Sequence, residues 1–283
     1  MKIKFTKMEG LGNDFVVVDT RTEKLSGVNL AEFAEAVCDR HFGVGADGLI
    51  LIDTSTHSDY RMRVFNPDGS EPEMCGNGIR CFARYLYEHE PRKKELFSVE
   101  TKGGVMLPAL VLKNDQIVAV EVDMGEPALS QSKIPTTLGE KEKVVDVPLQ
   151  AGGEKFSATC VSMGNPHCII FVENLAGVRA DVLGPAIETL SAFPQRTNVE
   201  FTQVISDREL RLRVWERGAG ETLACGTGAC AALVAGVLTG RTQRQAVVHL
   251  PGGPLQIEWL ESNNHVMMTG PARTVFEGTY TWH

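Results

Sequence analysis

Two cysteines stand at the same kind of turn, in Cys75-Gly-Asn-Gly and Cys225-Gly-Thr-Gly, 150 positions apart. Each turn opens an apolar segment with helical spacing. The N–H groups at a helix N-terminus bind anions such as carboxylates, and the partial positive charge there lowers the pKa of a thiol. One such turn can hold an acid group and place a base beside it. Two can take a proton from one face of a carbon atom and return a proton to the other.

The sequence around the two turns is repeated as well. Asn13 precedes Cys75 by 62 positions, and Asn165 precedes Cys225 by 60 positions. Alternating strand-like segments dominate both halves, and the helix after Cys225 is apolar all round, so it must be buried on every side. We therefore predict an α+β fold of two pseudo-symmetric domains from a duplicated unit, each a curved, mostly antiparallel, barrel-like sheet around a central helix.

The length of 283 residues fits two domains better than one. We predict a first domain of residues 1–124 and a second of residues 125–271, with residues 272–283 returning to the first. Two shorter helices are also predicted. One begins at Leu30, capped by Asn29, and its counterpart in the second half begins at Pro185.

Composition excludes several classes of protein. A net charge of −8 gives no footprint for nucleic acid or an anionic membrane surface, and no apolar segment has the length of a membrane span. Seven cysteines without paired spacing indicate reduced thiols in the cytoplasm. We expect no metal, because no Cys-x-x-Cys or zinc-type histidine pair occurs. We also expect no cofactor: Gly43–Gly48 imitates a dinucleotide motif, but a strand-like segment follows where a helix is required.

A second set of residues carries amides and charges at turns and strand ends. Such residues suit a zwitterionic ligand, since Arg binds a carboxylate, Glu binds an ammonium group and amides bind both. A single turn Asn is usually there for its backbone preference. His167 has two open interpretations: it orients or charges a thiol, or it is a strand-end histidine bonded to backbone. The set comprises Asn13, Asn66, Asn77, Asn165, Asn198, Glu216 and Arg217.

Six ordered motifs resemble those of the diaminopimelate epimerase family. The resemblance implies a cofactor-independent interconversion of LL- and meso-2,6-diaminopimelate, on the route to lysine and peptidoglycan, with the site between two similar domains. In many members of that family Gln stands where this chain has Gly48. The motifs are Gly10–Phe15, Asn66–Ser70, Cys75–Gly78, Ser162–His167, Glu216–Glu221 and Ala224–Ala229.

The resemblance also assigns roles. Cys75 and Cys225 are the two acid/base thiols, assisted by His167 and Glu216 respectively. The remaining roles concern substrate binding: backbone at Gly76, Asn77, Gly226 and Thr227 holds the reacting carboxylate, Asn13 and Glu216 lie near the ammonium groups, and Asn66, Asn165, Asn198 and Arg217 recognise the distal end.

Three alternatives stay open. Another two-thiol racemase, such as a proline racemase relative, would not need the distal set around Arg217. A silent amino-acid-binding protein would not need both thiols. A redox switch would join Cys75 to Cys225 as a disulfide. The sequence leaves the oligomeric state open, with a homodimer as our expectation and diaminopimelate as the expected partner.

Overall fold

A computed structural model describes residues 1–139 and 142–282. These residues group into two compact units. Of the described residues, unit 1 comprises 1–123 and 270–282, and unit 2 comprises 124–139 and 142–269. Strands and helices are numbered in chain order, and each unit is described by itself.

Unit 1 is built on a sheet with the strand order β18-β1-β2-β3-β4-β5-β6, and β7 and β8 form a hairpin. The last strand therefore pairs with the first, antiparallel, with Lys2 opposite Thr281. The pairs β2/β3 and β4/β5 are parallel, and the others are antiparallel. The strands are β1 (Lys2–Gly10), β2 (Asn13–Asp19), β3 (Gly48–Asp53), β4 (Tyr60–Phe65), β5 (Val99–Thr101), β6 (Gly104–Met106), β7 (Ala109–Lys113), β8 (Gln116–Asp123) and β18 (Arg273–Thr281).

Each parallel pair in unit 1 needs a crossover, and a helix provides it. Helix α1 (Leu30–Cys38) joins β2 to β3, and the side chain of Asn29 accepts from the N–H of Ala31, so the predicted cap is confirmed. Helix α2 (Gly76–His89) joins β4 to β5 and contacts strands along most of the sheet, β1 to β4 and β18, as well as the β7–β8 hairpin. It is the central helix of unit 1.

Unit 2 has the strand order β17-β16-β15-β13-β12-β11-β10-β9, with β14 on β13. From β10 to β16 the pairs alternate antiparallel, parallel, antiparallel, parallel, antiparallel, and β1 to β6 of unit 1 show the same alternation. The strands are β9 (Val147–Ala151), β10 (Glu154–Ser162), β11 (Pro166–Phe171), β12 (Asn198–Ser206), β13 (Glu209–Glu216), β14 (Gly220–Thr222), β15 (Gln245–Leu250), β16 (Gly253–Trp259) and β17 (Val266–Gly270).

Helix α4 (Gly226–Leu238) is the central helix of unit 2. It contacts β10 to β13, β15 and β16, and the residues from Gly228 to Gly236 are all buried. This fits its composition, since a helix without a polar face has no side to expose to water.

Helix α3 (Ala180–Glu188) joins β11 to β12, and it corrects one prediction. The helix begins at Ala180, five residues before Pro185, so the start predicted at Pro185 is wrong. Ala180, Leu183 and Ile187 pack in the core cluster of unit 2. That burial outweighs the one backbone hydrogen bond that Pro185 cannot donate.

Two short 3₁₀ helices, Gln131–Lys133 and Leu175–Gly177, lie in unit 2 loops. In the part of the chain that the structure describes, no helix combines the length and the apolar composition needed to cross a membrane.

Candidate active site

Cys75 is the N-cap residue of α2 in unit 1. Its backbone is extended, with φ −135° and ψ 115°, and its sulfur accepts a hydrogen bond from the N–H of Gly78 at 3.4 Å. A Cβ at Gly78 would lie 3.3 Å from the Cβ of Cys75 and 3.2 Å from Cδ1 of Ile50, so the turn requires a small residue. The N–H donors of Gly76 and Asn77 are at the start of the helix. The turn thus holds a thiol beside backbone amides.

Two of the predicted site amides, Asn13 and Asn77, lie together in unit 1. Asn77 Nδ2 donates to Asn13 Oδ1 at 3.1 Å, and Asn13 Nδ2 donates to Asp47 Oδ2 at 2.9 Å. Asp47 also accepts from Arg40 at 2.7 Å. The carboxylate accepts only, so it fixes which way the Asn13 amide faces.

Asn66 lies in a separate turn after β4. Its side chain donates to Ser70 Oγ at 2.9 Å, and its carbonyl accepts from the N–H of Gly69 at 3.0 Å. Gly69 has φ 77°, a conformation that favours glycine. These hydrogen bonds stabilise the turn itself. The end of β4 determines where Asn66 lies.

Gly48, where the family often has Gln, begins β3. A Cβ at this position would lie 2.9 Å from the carbonyl oxygen of Phe65 and 3.4 Å from the ring of Phe15. The backbone of this chain therefore leaves no room for a side chain at Gly48 without a shift of β4.

Cys225 repeats the turn in unit 2 as the N-cap residue of α4. Its backbone has φ −120° and ψ 110°, and its sulfur accepts from the N–H of Gly228 at 3.4 Å. The sulfur also lies 3.4 Å from Thr227 Oγ1. Cys225 is buried, whereas Cys75 is partly exposed. Burial, followed by the charges of Glu216 and Glu200, raises the pKa of Cys225 well above its usual value.

His167 and Asn165 belong to a hydrogen-bonded chain that reaches Cys225. His167 Nε2 lies 3.0 Å from Asn165 Oδ1, and Asn165 Nδ2 donates to Thr227 Oγ1 at 3.3 Å. The other ring nitrogen of His167 lies 2.6 Å from Glu200 Oε1, and both side chains are fully buried. Of the two interpretations of His167, the bond to a carboxylate rather than to backbone supports the orienting role.

Glu216, Arg217 and Asn198 meet where β13 ends beside the start of β12. Asn198 Oδ1 accepts from the backbone N–H of Arg217 at 2.8 Å, and Asn198 Nδ2 donates to the carbonyl of Pro166 at 2.8 Å. Glu216 accepts from Thr222 Oγ1 at 2.5 Å, and burial raises the pKa of its carboxyl. Asn198 therefore holds the backbone of Arg217 in place.

Sequence reasoning missed three carboxylates that support these residues: Asp47, Glu188 and Glu200. Glu188 accepts from the N–H of Gly218 at 3.0 Å and from Trp215 Nε1 at 2.8 Å, so it holds the turn after Glu216. Glu200 stands in the apolar strand β12, where a single charged residue was the available signal. Asp47 lies within Gly43–Gly48, the segment that imitates a dinucleotide motif.

The described residues contain no group of three or more His, Cys, Asp or Glu side chains arranged to hold a metal ion. Cys81 and Cys230 are fully buried in α2 and α4, so they lie in the core.

Comparison with known proteins identifies the family. The sequence profile described as diaminopimelate epimerase matches residues 5–130 and 159–275. The diaminopimelate epimerase of Moorella thermoacetica is 56% identical over 276 residues, covering 98% of each chain, and that of Pelotomaculum thermopropionicum is 55% identical over 278 residues, covering 98% of this chain and 99% of the relative. The chain belongs to the diaminopimelate epimerase family.

Membership of the diaminopimelate epimerase family confirms the resemblance seen in the six motifs. Solved structures confirm the fold class. A PhzF-family phenazine biosynthesis protein of Bacillus anthracis has a TM-score of 0.71 at 19% identity over 100% of both chains. A hydroxyproline epimerase of Agrobacterium vitis has a TM-score of 0.69 at 13% identity, covering 98% of this chain and 92% of the other. At these identities the likeness concerns the fold.

Proposed function

We propose that this chain is an isomerase that interconverts LL- and meso-2,6-diaminopimelate by a two-base mechanism. The observation that carries the proposal is the repeated N-cap: Cys75 and Cys225 have the same backbone conformation and the same 3.4 Å bond from the third residue of the following helix. Family membership supports the substrate.

Inversion at a carbon atom needs one acid/base group for each face, and each unit provides one thiol. One sulfur, as thiolate, takes the α-proton, and the other, as thiol, delivers a proton to the opposite face. Negative charge grows on the substrate carboxylate as the carbanion forms. Backbone donors at Gly76 and Asn77 in unit 1, and at Gly226 and Thr227 in unit 2, are suited to stabilise that charge. The removed proton stays on one sulfur, the delivered proton comes from the other, and backbone donors stabilise the charge between the two steps, so this mechanism uses no cofactor.

The remaining polar residues suit a substrate with an amino-acid group at each end. We assign the distal carboxylate to Arg217, with Asn66, Asn165 and Asn198 as amide partners. Glu216 and Asn13 are assigned to the ammonium groups. The family resemblance assigns His167 to Cys75 and Glu216 to Cys225. Within unit 2 the hydrogen bonds of His167 lead to Cys225 as well, through Asn165 and Thr227. We propose that the two units are the two domains, and that the enzyme works in the cytoplasm as a homodimer in lysine and peptidoglycan precursor biosynthesis.

The test is turnover of pure LL-diaminopimelate in D2O, with product and recovered substrate separated early in the reaction. The thiol that delivers the proton has exchanged with solvent beforehand, so early product carries deuterium at the inverted carbon while recovered substrate carries little. L-Proline, which lacks a distal end, serves as the control substrate and is not racemised. Early product that retains its protium would contradict the two-base assignment, and absence of turnover would contradict the function itself.

A further inference from the structure

Glu200 is a carboxylate in the middle of unit 2 to which the proposed mechanism gives no role. It lies between Val199 and Phe201, which pack in the core cluster on one side of β12, and alternation places Glu200 on the other side. A Cβ built on Gly228, in the first turn of α4, would lie 2.9 Å from Glu200 Oε1. The carboxylate therefore lies against the N-terminus of the helix that carries Cys225.

Burial makes this position costly for a charge. Glu200 is fully buried, and its Oε2 atom has no hydrogen-bond partner among the described residues. Burial raises the pKa of Glu200, while the charge and hydrogen bond of His167 oppose the shift. An unpartnered buried oxygen destabilises the folded state, so Glu200 is not there for stability alone.

The hydrogen-bonded chain from Glu200 to Cys225 has a direction. Asn165 Nδ2 donates to Thr227 Oγ1, so Asn165 Oδ1 faces His167 and can only accept. His167 Nε2 must then carry a hydrogen. Since the Thr227 oxygen already accepts from Asn165, its own hydrogen is available to the Cys225 sulfur at 3.4 Å.

The number of protons on the His167–Glu200 pair determines which way the hydrogen-bonded chain points. With a hydrogen on Nε2, the 2.6 Å contact between Nδ1 and Oε1 needs a second proton, either on the nitrogen or on the carboxyl oxygen. In both forms the pair is neutral overall, and the donors from His167 Nε2 through Asn165 to Thr227 point towards Cys225. If the pair loses one proton, Nδ1 keeps the hydrogen and donates to the carboxylate, and Nε2 becomes an acceptor. The Asn165 amide must then turn over, and the Thr227 hydroxyl donates to Asn165 instead of to sulfur.

We propose that Glu200 is a positioning residue for Cys225: it holds His167 so that the chain through Asn165 and Thr227 ends in a hydroxyl donor to the sulfur. The proposal rests on the role of Cys225 given above. The other titratable groups around Glu200 are His167 and Cys168 on β11, Glu216 on β13 and Cys225 itself, and the α4 N-terminus adds a partial positive charge. A donor to sulfur favours the thiolate, which the buried carboxylates otherwise oppose.

The test follows the pH dependence of Cys225 alkylation by iodoacetamide, measured by peptide mass mapping, with Cys75 in the same sample as internal reference. Glu200→Leu removes the partner of Nδ1, so the pH of half-maximal reactivity of Cys225 rises by about one unit, the value of one hydrogen bond. A mere loss of negative charge would move it downwards. Thr202→Val, on the same side of β12, is the matched control and leaves it unchanged, because the buried Thr202 hydroxyl has no partner in the described part of the chain.

A double-mutant cycle tests whether Glu200 acts through the chain. Thr227→Val gives the same upward shift, and Glu200→Leu combined with Thr227→Val gives no more than either alone. A downward shift, a shift shared by Thr202→Val, or additive shifts would each overturn the proposal. These readouts do not depend on turnover, so a failure of the wild-type protein to act on diaminopimelate would refute the function and not this inference.

Glu200→Gln keeps the size of the side chain and provides a folded variant if the Leu variant does not fold. Its amide donates to Nδ1, so Nε2 keeps its hydrogen and Cys225 reacts within about 0.3 pH unit of wild type, less than the value of one hydrogen bond. The ¹⁵N shifts of His167, assigned with a His167→Gln variant, report the tautomer. A hydrogen on Nδ1 alone in wild-type protein at neutral pH would overturn the proposed direction.

Discussion

The Cys75 turn of unit 1 and the Cys225 turn of unit 2 share their backbone and differ in their electrostatics. In unit 1 the fifth residue after the cysteine is Arg80, whose buried guanidinium donates to the carbonyls of Gly76 at 3.3 Å and Pro271 at 3.0 Å. In unit 2 the same position is Cys230, and two carboxylates, Glu200 and Glu216, lie around the thiol.

The two turns therefore share the position of the thiol, and residues that are not repeated between the units set the electrostatic surroundings of each sulfur. A helix N-terminus favours thiolate in both turns. In unit 2, burial and the carboxylates outweigh it, since the pKa of Cys225 is raised. In unit 1 the buried cation of Arg80 donates instead to the carbonyl of Gly76, in the first turn of the same helix. We therefore expect Cys225 to rest as the thiol that donates a proton.

Removing one thiol at a time should have the largest effect. Cys75→Ala and Cys225→Ala should each lower kcat for LL-diaminopimelate by at least about 10³-fold, because inversion needs a group on each face. Cys81→Ala and Cys230→Ala, in the same two helices but buried in the core, are the matched controls and should keep most of the activity. If Cys75→Ala or Cys225→Ala turns over substrate at a near-wild-type rate, that thiol is not one of the two acid/base groups.

Glu216, the residue proposed to assist Cys225, allows a test of the residues of unit 2 alone. Glu216→Gln should lower kcat by about 10²-fold, the scale of a group that assists proton transfer. Burial raises the pKa of Glu216, so its carboxylate form is present only above that raised value. The acid limb of wild-type activity should therefore lie above the range of an ordinary Glu and should disappear in the variant.

A stability measurement tests the raised pKa of Glu216 independently. Activity should rise as Glu216 loses its proton, whereas its contribution to stability should fall. A carboxyl with a raised pKa in the folded state stabilises fully at low pH and loses that contribution as pH rises through the raised value. Glu216→Gln should therefore gain in unfolding midpoint, relative to wild type, as pH rises. Glu221→Gln, in the same segment but paired with Arg213 at 2.6 Å, is the control for both experiments. Equal effects of the two substitutions would remove Glu216 from its role.

The sequence was sufficient for the thiols and the central helices because both rest on local signals. The glycines after each cysteine and the apolar composition of the α4 segment allow few other structures. Glu200 offered one signal, a single charge in its strand, but the role of that charge could not be predicted. The first five residues of β12 are all buried, so its apolar neighbours do not reveal which side faces α4. The predicted start of α3 was wrong because tertiary packing outweighed a local preference. Pro185 favours the first turn of a helix, but Ala180 and Leu183 pack in the core and extend the helix towards the N-terminus.

The cation of unit 1 gives a smaller, separable effect. Arg80→Met should raise the pH at which Cys75 becomes half-reactive towards iodoacetamide and leave the profile of Cys225 unchanged. If that pH rises by roughly one unit, kcat should fall about tenfold. Arg84→Met is the matched control, because Arg84 lies one turn further along α2 and donates to the carbonyl of Ala272 at 2.8 Å. If both variants change the Cys75 profile equally, the cause is the loss of the bonds to the carbonyls of Pro271 and Ala272 and not the charge of Arg80.

The smallest effect concerns the third residue of each central helix. Gly→Ala inside a helix gains roughly 0.5–1 kcal/mol when there is room. At Gly78 the new Cβ meets Cδ1 of Ile50 at 3.2 Å, the end of a flexible side chain, so Gly78→Ala should change the free energy of unfolding by less than about 1 kcal/mol. At Gly228 it meets Glu200 Oε1 at 2.9 Å, and the carboxylate is held by His167. Gly228→Ala should therefore destabilise by about 1–3 kcal/mol in urea unfolding.

A second substitution should restore part of the stability that Gly228→Ala loses. The contacts of the new Cβ with the local cysteine are nearly the same in both turns, 3.5 Å to Cys75 Sγ and 3.3 Å to Cys225 Sγ, so they cancel between the two variants. Glu200→Ala should then recover part of the stability lost in Gly228→Ala, because it removes the atom that the methyl group meets, and should recover nothing in Gly78→Ala. Equal losses at the two glycines, or no recovery, would mean that the two turns differ in charge alone and not in the space behind the thiol.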